Sequence, residues 1–283
     1  CVACGECVQA CPTGALMPKS IVDTETQAGS RGADKSVTSV CPFCGVGCLV
    51  SFEVRDGRIA YVEGVDGPAN EGRLCVKGRF GFDYVASPQR LTMPLIRREG
   101  APKGLNVDPR NPFTHFRQAT WDEALDAAAA GMTRAAEGHG NRAVAGFGSA
   151  KCSNEEAYLF QKLIRTRFHH NNVDHCTRLC HASSVAALME GIGSGSVTAP
   201  FTDAMKADAI IIIGSNPTEN HPVAATYFKQ AARRGTTLIV MDPRGTAMKR
   251  FASHMLQLRP GTDVALPNAM MHVIVSEGLH HRD

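Results

Sequence analysis

The sequence predicts an α/β protein in which a doubly wound parallel sheet follows a small β-rich, cysteine-containing domain. Two tight cysteine clusters open the chain, and their spacing indicates metal ligation. From residue 143 onward, apolar strand-like runs alternate with amphipathic helix-like segments. Strand, helix, strand in repetition is typical of a parallel sheet covered by helices. The cysteines and the alternation therefore predict two different kinds of domain in one chain.

Composition excludes several classes of protein. Hydrophobic residues make up 43% of the 283 positions, which is enough for a substantial core. The formal charge is +3, without Lys/Arg runs or interleaved aromatic residues, so no nucleic-acid surface is indicated. The longest aliphatic runs, such as 209–213, are far shorter than the roughly 20 residues of a membrane helix. We predict neither a nucleic-acid partner nor a membrane span.

The first cysteine cluster has the spacing C-x2-C-x2-C-x3-C-P, which is the [4Fe-4S] run of bacterial ferredoxins. A disulfide pair or a zinc site is the alternative. In two-cluster ferredoxins the fourth cysteine binds the other cluster, which leaves the first three one ligand short. Because residue 1 is also not methionine, we expect the chain to begin inside a ferredoxin-like module whose partner run lies upstream. The cysteines of this run are Cys1, Cys4, Cys7 and Cys11.

A second cluster has the spacing C-x2-C-x3-C-x26-C and supplies four thiolates on its own. Four thiolates suit a [4Fe-4S] cluster or a structural zinc ion, and the spacing alone leaves both open. Gly45 and Gly47 allow a tight loop between the cysteines. Alternating segments at 48–54 and 58–62, divided by Asp56-Gly57, predict a β-hairpin beside it. The four cysteines are Cys41, Cys44, Cys48 and Cys75.

The rest of the chain divides into a linker and an α/β region. Residues 19–36 are polar and non-periodic and predict a linker, while irregular, proline-rich sequence fills 87–119. Capping-box sequences at Thr120–Glu123 and Ser153–Glu156 each predict a helix start. Further helices are predicted at 183–192 and around 223–231. Strands are predicted at 143–148, 209–213 and 237–241, and the strand at 209–213 is expected to be buried.

Ligands of parallel sheets bind beyond the carboxyl ends of the strands, where helix N-termini offer free N–H groups. Gly214–Glu219 and Asp242–Arg244 follow two of the predicted strands. Asp242 is a candidate for contacting ribose hydroxyls, and a simple Asp-Pro turn is the equally weighted alternative. No G-x-G-x-x-G follows a strand, so this region is not predicted to bind NAD itself.

Six segments, in order, resemble the molybdopterin oxidoreductases. They are CPFCGVGC (41–48), RLCVKG (73–78), NNVDHCTRLCH (171–181), GSNPTENHP (214–222), MDPRG (241–245) and LRPGTD (258–263). Within that family the chain is most similar to the catalytic α subunit of cytosolic, NAD-linked molybdenum formate dehydrogenases. The resemblance implies that the second cysteine cluster binds [4Fe-4S].

The resemblance also implies a domain order. We expect the end of a ferredoxin-like module and a linker at 1–30, a [4Fe-4S] domain at 36–90, and an incomplete molybdopterin-binding catalytic domain at 91–283. The family's substrate-binding arginine and C-terminal β-barrel are expected beyond residue 283.

Residue roles follow from the same resemblance. Cys180 matches the cysteine that binds molybdenum, His181 the adjacent active-site histidine, and Lys77 the lysine between cluster and pterin. For Lys77 a solvated surface lysine is the alternative. Cys152, Cys176 and three nearby histidines receive no role. The residues that match the motifs holding the pterin guanine dinucleotide are Gly214, Asn216, Glu219, His221, Asp242, Arg244, Gly261 and Asp263.

The implied cofactors are [4Fe-4S] clusters and molybdenum, or tungsten, held by bis(molybdopterin guanine dinucleotide). The implied reaction is oxidation of formate to CO2 in the cytoplasm, with electrons passed to a further iron–sulfur subunit and a partner subunit carrying flavin and NAD. A nitrate-reductase-like enzyme and a non-catalytic electron conduit similar to the large subunit of complex I are the alternatives. The Cys180–His181 pair favours formate, because similar periplasmic nitrate reductases lack the histidine and the complex I subunit usually lacks the motif.

Overall fold

The computed structural model describes residues 3–17, 33–104 and 106–281. The chain divides into two compact units, one built from 1–83 with 198–283 and the other from 84–197. Most of the predicted linker at 19–36, and Cys1, lie outside the described residues. Among the residues described, no helix is long and apolar enough to cross a bilayer.

The amino-terminal part of the first unit is a small antiparallel sheet. Helix α1 (Glu6–Gln9) precedes strands β1 (Lys35–Val40), β2 (Leu49–Arg55) and β3 (Arg58–Gly64), which lie side by side in that order. The predicted hairpin joins β2 and β3, and its turn residues Asp56 and Gly57 have φ values of 48° and 71°. Positive φ at both positions is what a two-residue hairpin turn of type I′ requires. Short helix α2 (Val76–Phe80) follows the sheet.

The second unit contains two small sheets and the longest helices. Strands β4 (Leu95–Arg97) and β5 (Phe116–Gln118) pair antiparallel. The next elements are α3 (Trp121–His139), β6 (Gly146–Gly148), α4 (Asn154–Phe168), β7 (Val173–His175), α5 (Thr177–Cys180) and α6 (Ala182–Ile192). Strands β6 and β7 pair in parallel, and Ala136, Ile164 and Phe168 form the buried core of this unit.

The helix starts in the second unit follow the sequence prediction with one difference. At α4 both halves of the capping box form, since the Ser153 side chain accepts from the Glu156 N–H and Glu156 accepts from the Ser153 N–H. At α3 only the Thr120 half forms, because the Glu123 carboxylate pairs with Arg117 instead. The strand predicted at 143–148 is shorter, since a 3-10 turn occupies Asn141–Ala143.

The chain returns to the first unit with a parallel sheet. It comprises β8 (Ala209–Ile213), α7 (Pro217–Asn220), α8 (Pro222–Arg233), β9 (Thr237–Met241), β10 (His254–Leu256) and α9 (Ala265–Ser276). Strand β9 is central and pairs in parallel with both neighbours. The predicted α/β class is therefore confirmed. The expectation that 209–213 is a buried strand is wrong, because β8 is an edge strand in which only Ile212 is buried.

Helix α8 joins the two halves of the first unit into one core. Its residues Val223, Ala224 and Tyr227 pack with Val50 and Val62 of the antiparallel sheet. Its opposite side places Ala225 against the parallel sheet. Burial of this apolar surface, at about 25 cal/mol per Å², holds the cysteine domain onto the α/β domain of the same unit.

Candidate functional site

The four cysteines of the second cluster line one small cavity in the first unit. Cys41 and Cys48 are only 7% and 5% exposed, and the loop between them is closed by the Cys41 N–H donating to the Cys48 carbonyl at 2.8 Å. A Cβ on Gly78 would lie 3.5 Å from the Cys41 sulfur, so the glycine leaves space beside the thiols. The sequence prediction that these four residues converge matches this arrangement.

Two thiols of this cavity, those of Cys41 and Cys48, favour the protonated form in the absence of a cation. Burial raises the pKa of the Cys41 thiol, and it raises the pKa of Cys48 to about 12, with the neighbouring cysteines adding repulsion. In the part of the chain described, no group of three or more His, Cys, Asp or Glu side chains could hold a single metal ion.

Lys77 links the region of Cys75 to helix α7, which follows strand β8. Its Nζ donates to the carbonyl oxygens of Glu219 at 3.1 Å and Asn220 at 3.4 Å. The His221 ring lies beside the cysteine loop, since a Cβ on Gly45 would be 4.0 Å from its Nε2. Burial lowers the pKa of His221, and the Lys77 charge lowers it further. Lys77 is therefore not a freely solvated surface lysine.

The three parallel strands end at one edge of their sheet. Ile213, Met241 and Leu256 lie in register at their carboxyl ends. Gly214 follows with a φ of 58° and open space around its α-carbon, while Asn216 is 5% exposed and accepts from the Thr218 hydroxyl at 2.6 Å. Gly261, at φ 82°, and Asp263 belong to the chain after β10. The predicted cofactor-binding segments therefore emerge from the same edge.

Asp242 is buried, at 3% exposure, and its carboxylate is used within its own turn. Oδ1 accepts from the Arg244 N–H at 2.7 Å and lies 3.7 Å from the Arg244 Nε. The turn alternative thus has direct support. Four residues after Asp242, the buried Thr246 hydroxyl has no hydrogen-bond partner among the residues described. Sequence reasoning missed Thr246, which is an ordinary threonine in every local pattern.

Cys180 and His181 belong to the second unit. Cys180 ends α5 and is exposed, and His181 separates α5 from α6. The previously unassigned Cys176 has partners here, since its sulfur accepts from the Ala150 N–H at 3.2 Å and lies 3.8 Å from His175 Nδ1. In the same unit a cavity of about 610 Å³ is lined by residues of β6, α4 and β7 and by Cys152 of the loop between β6 and α4.

The first cysteine run is described from Cys4 to Cys11. Cys7 is exposed, and Cys4 and Cys11 are partly buried. The Thr13 hydroxyl, 3.5 Å from the Cys11 sulfur, and nearby backbone N–H groups lower the pKa of that thiol to about 7. The run therefore presents a thiol that ionises near neutral pH.

The fold and the four-thiol cavity define an iron–sulfur protein with an α/β cofactor-binding region. Residues 90–282 match the molybdopterin oxidoreductase family, 34–87 its Fe4S4 domain, and 1–17 the 4Fe-4S binding domain. The chain belongs to the molybdopterin oxidoreductases.

Relatives with known names support this membership. The chain is 40% identical over 244 residues to F420-dependent formate dehydrogenase 1 subunit alpha of Methanococcus maripaludis, covering 86% of this chain and 34% of that one. It is 39% identical over 246 residues to the F420-dependent formate dehydrogenase subunit alpha of Methanocaldococcus jannaschii, covering 87% and 34%. Among solved structures, acetylene hydratase from Pelobacter acetylenicus is similar, with a TM-score of 0.72 and 25% identity over 88% of this chain and 33% of that one. The chain thus spans about a third of the length of the curated relatives it matches.

The family implies iron–sulfur clusters and a molybdenum or tungsten pterin, and the residues present fit both. Four free thiols line one cavity, and four thiolates are the ligand set of a [4Fe-4S] cluster. At the edge of the parallel sheet, an orphaned threonine hydroxyl and an open glycine offer polar contact and space for a large anionic cofactor.

Proposed function

We propose that the protein oxidises formate to CO2, releasing one proton and two electrons. The observation that supports this proposal is Lys77, which lies close to Cys75 and donates hydrogen bonds to the Glu219 and Asn220 carbonyls of helix α7. Both named relatives are formate dehydrogenase α subunits, which favours formate as substrate. When bound, the metal–pterin group supplies the two-electron chemistry, and the clusters carry electrons away singly.

Each candidate residue then has a role. The soft Cys180 thiolate would bind molybdenum or tungsten, and His181 would accept the proton at its ring nitrogen. Lys77 would place its positive charge between the cluster and the pterin. The pterin, in its guanine dinucleotide form, would be held by Gly214, Asn216, Glu219, His221, Asp242, Arg244, Gly261 and Asp263. [4Fe-4S] clusters would occupy Cys41, Cys44, Cys48 and Cys75, and the run of Cys1, Cys4, Cys7 and Cys11.

The test uses the full-length protein purified without oxygen. Metal analysis should find iron together with molybdenum or tungsten, and formate should reduce a viologen dye. Replacing Cys180→Ala should abolish that activity, while Cys152→Ala, an exposed thiol of the same unit, should leave it unchanged. Nitrate-dependent oxidation of reduced dye, without formate oxidation, would instead identify a nitrate reductase. Iron without molybdenum or tungsten would identify a conduit subunit.

The electron acceptor is a separate part of the proposal. We propose a partner subunit carrying flavin and NAD, reached through a further iron–sulfur subunit, in the cytoplasm. The names of both relatives favour coenzyme F420 as a second candidate. Incubating the purified complex with formate and either NAD+ or F420 should show which of the two is reduced.

A further inference from the structure

Arg79 is a buried arginine that sequence reasoning did not single out. It lies in α2, four residues after Cys75, and is only 4% exposed. Its Nε donates to the Cys4 carbonyl at 2.9 Å, and one terminal nitrogen donates to Glu6 Oε1 and to Gln9 Oε1, both at 2.7 Å. All three acceptors belong to the first cysteine run, so the guanidinium group satisfies its charge there.

The acceptors of Arg79 are tied to the second cysteine domain by further hydrogen bonds. Glu6 Oε1 also accepts from the Leu74 N–H at 2.7 Å, next to Cys75. The Gln9 amide accepts from the Gly64 N–H at 3.1 Å and donates to the Gly64 and Gly72 carbonyls at 3.1 and 3.2 Å. The first cysteine run is thus held to the end of β3 and to the loop that carries Cys75.

Gly5 makes this close approach possible. Its φ is 79°, and a Cβ there would lie 2.2 Å from Arg79 Cδ and 2.8 Å from Arg79 Nε. A Cβ closer than 3.0 Å to the Arg79 side chain would clash with it. Because three hydrogen bonds hold the guanidinium group, a small shift of Arg79 cannot relieve this clash. Any larger residue at position 5 would push the arginine out of its place.

We propose that Arg79 is the positioning residue that fixes the first cysteine run against the Cys75 loop and so sets the spacing between the two iron–sulfur sites. Charge-assisted hydrogen bonds are short and directional, which suits them to hold one geometry. Leu74, the neighbour of Cys75, donates its N–H to Glu6 of the first cysteine run, so a single hydrogen bond joins the two sites. Each electron that crosses oxidises one cluster and reduces the other. The inference rests on the clusters in the proposed function but not on formate as substrate.

Hydrogen exchange of the full-length, iron-loaded protein tests the docking. The Leu74 and Gly64 amides report on it directly, because their acceptors are Glu6 and Gln9. In Arg79→Met we expect both to exchange at least ten times faster than in the unmodified protein. Arg58→Met, which removes an exposed arginine from β3 of the same domain, should change neither. Unchanged exchange in Arg79→Met would overturn the proposal.

A second variant and a spectroscopic measurement separate positioning from general stability. Gly5→Ala keeps the arginine but displaces it, and should accelerate the same two amides. In the dithionite-reduced protein, magnetic coupling between the two clusters should broaden the electron paramagnetic resonance spectrum, and both variants should narrow it at unchanged iron content. Retained broadening in both variants would refute the proposal. Absence of coupling in the unmodified protein would instead refute the cluster assigned to the first run, and the exchange result would still decide the role of Arg79.

Discussion

Asn70 fixes the loop that delivers Cys75. The residue is fully buried, its Oδ1 accepts from the Leu49 N–H at 2.9 Å, and its Nδ2 lies 3.0 to 3.1 Å from the carbonyls of Leu49, Val65 and Arg73. One side chain therefore satisfies backbone groups on both sides of the loop. Removing it leaves buried donors and acceptors without partners, which is costlier than losing an exposed hydrogen bond.

We expect Asn70→Ala to lower the free energy of unfolding by about 2–4 kcal/mol, because several buried backbone groups lose their partner. Chemical denaturation of the iron-loaded protein measures the change. Asn111→Ala provides the matched control, since Asn111 is exposed and makes no capping bond with its side chain, and its effect should stay within about 0.5 kcal/mol. Equal effects of the two substitutions would contradict this view of Asn70.

The two cysteine clusters should differ in thiol reactivity when iron is removed. The pKa of Cys11 is lowered to about 7, and that of Cys48 is raised to about 12. Because only the thiolate reacts, iodoacetamide at pH 8 should modify Cys11 well before Cys48. Raising the pH from 8 to 10 should speed Cys48 about 100-fold, since its thiolate fraction grows about tenfold per pH unit below its pKa, and should barely change Cys11.

Mass spectrometry of the modified peptides follows both rates. In urea the two cysteines should react alike, which separates the effect of the fold from that of the neighbouring sequence. A Cys48 rate in the folded, iron-free protein that is flat between pH 8 and 10 would show that its pKa is not raised.

Lys77 contacts helix α7 through the backbone carbonyls of Glu219 and Asn220 rather than through a carboxylate. Lys77→Met should slow electron delivery about tenfold, the change expected if loss of the positive charge raises the barrier by about 1.4 kcal/mol. The reoxidation rate of the formate-reduced protein by dye measures this. Lys77→Arg keeps the charge and should recover part of the rate. A rate unchanged in Lys77→Met would assign Lys77 a purely structural role.

At the residue scale, the sequence allowed the prediction of groups that act through fixed spacing. The convergence of Cys41, Cys44, Cys48 and Cys75 follows from short loops and one hairpin. Arg79 and Thr246 could not be predicted, because their surroundings come from residues distant in the chain. For Asp242 the sequence left two interpretations, and the hydrogen bond from the Arg244 N–H to its carboxylate supports the turn.

At the scale of elements, helix α8 shows how small residues allow two layers to meet. Ala224 and Ala225 are both fully buried, the first facing the cysteine domain and the second the parallel sheet. The position of this helix was predictable from its apolar face. Strand β1 was not predictable, since all its residues are exposed. Backbone hydrogen bonds to β2 hold this strand, rather than burial of its side chains. The edge position of β8 likewise leaves no mark in its uniformly apolar sequence.

Ala225→Leu should destabilise the protein by about 1–3 kcal/mol, because added methylene groups must enter a filled core. Thermal or denaturant unfolding detects the change. The matched control is Ala269→Leu in α9, an exposed helical position where the same substitution should cost little. If Ala225→Leu were neutral, the packing between α8 and the parallel sheet would have to be looser than described.

At the scale of the molecule, the chain covers about a third of its named relatives and yet contains a complete four-thiol site within its first unit. We expect a protein limited to residues 1–283 to bind iron but not to turn over formate, because it spans only about a third of the length of the relatives named as formate dehydrogenase α subunits. Iron analysis together with a formate-dependent dye assay tests both halves. Formate turnover by this segment would refute the expectation.

The first unit is assembled from two stretches of chain separated by the whole second unit, and this has a consequence for biosynthesis. Cys75 completes the ligand set, but Val223, which lines the same cavity, is made about 150 residues later. At a synthesis rate of ~5–20 residues per second, the finished thiol set waits roughly 7–30 s for the helix that covers it. Throughout that interval the nascent cysteines stand open to oxidation or to premature capture of other metals. Shielding of these thiols, or delivery of iron and sulfide during synthesis, would limit both reactions.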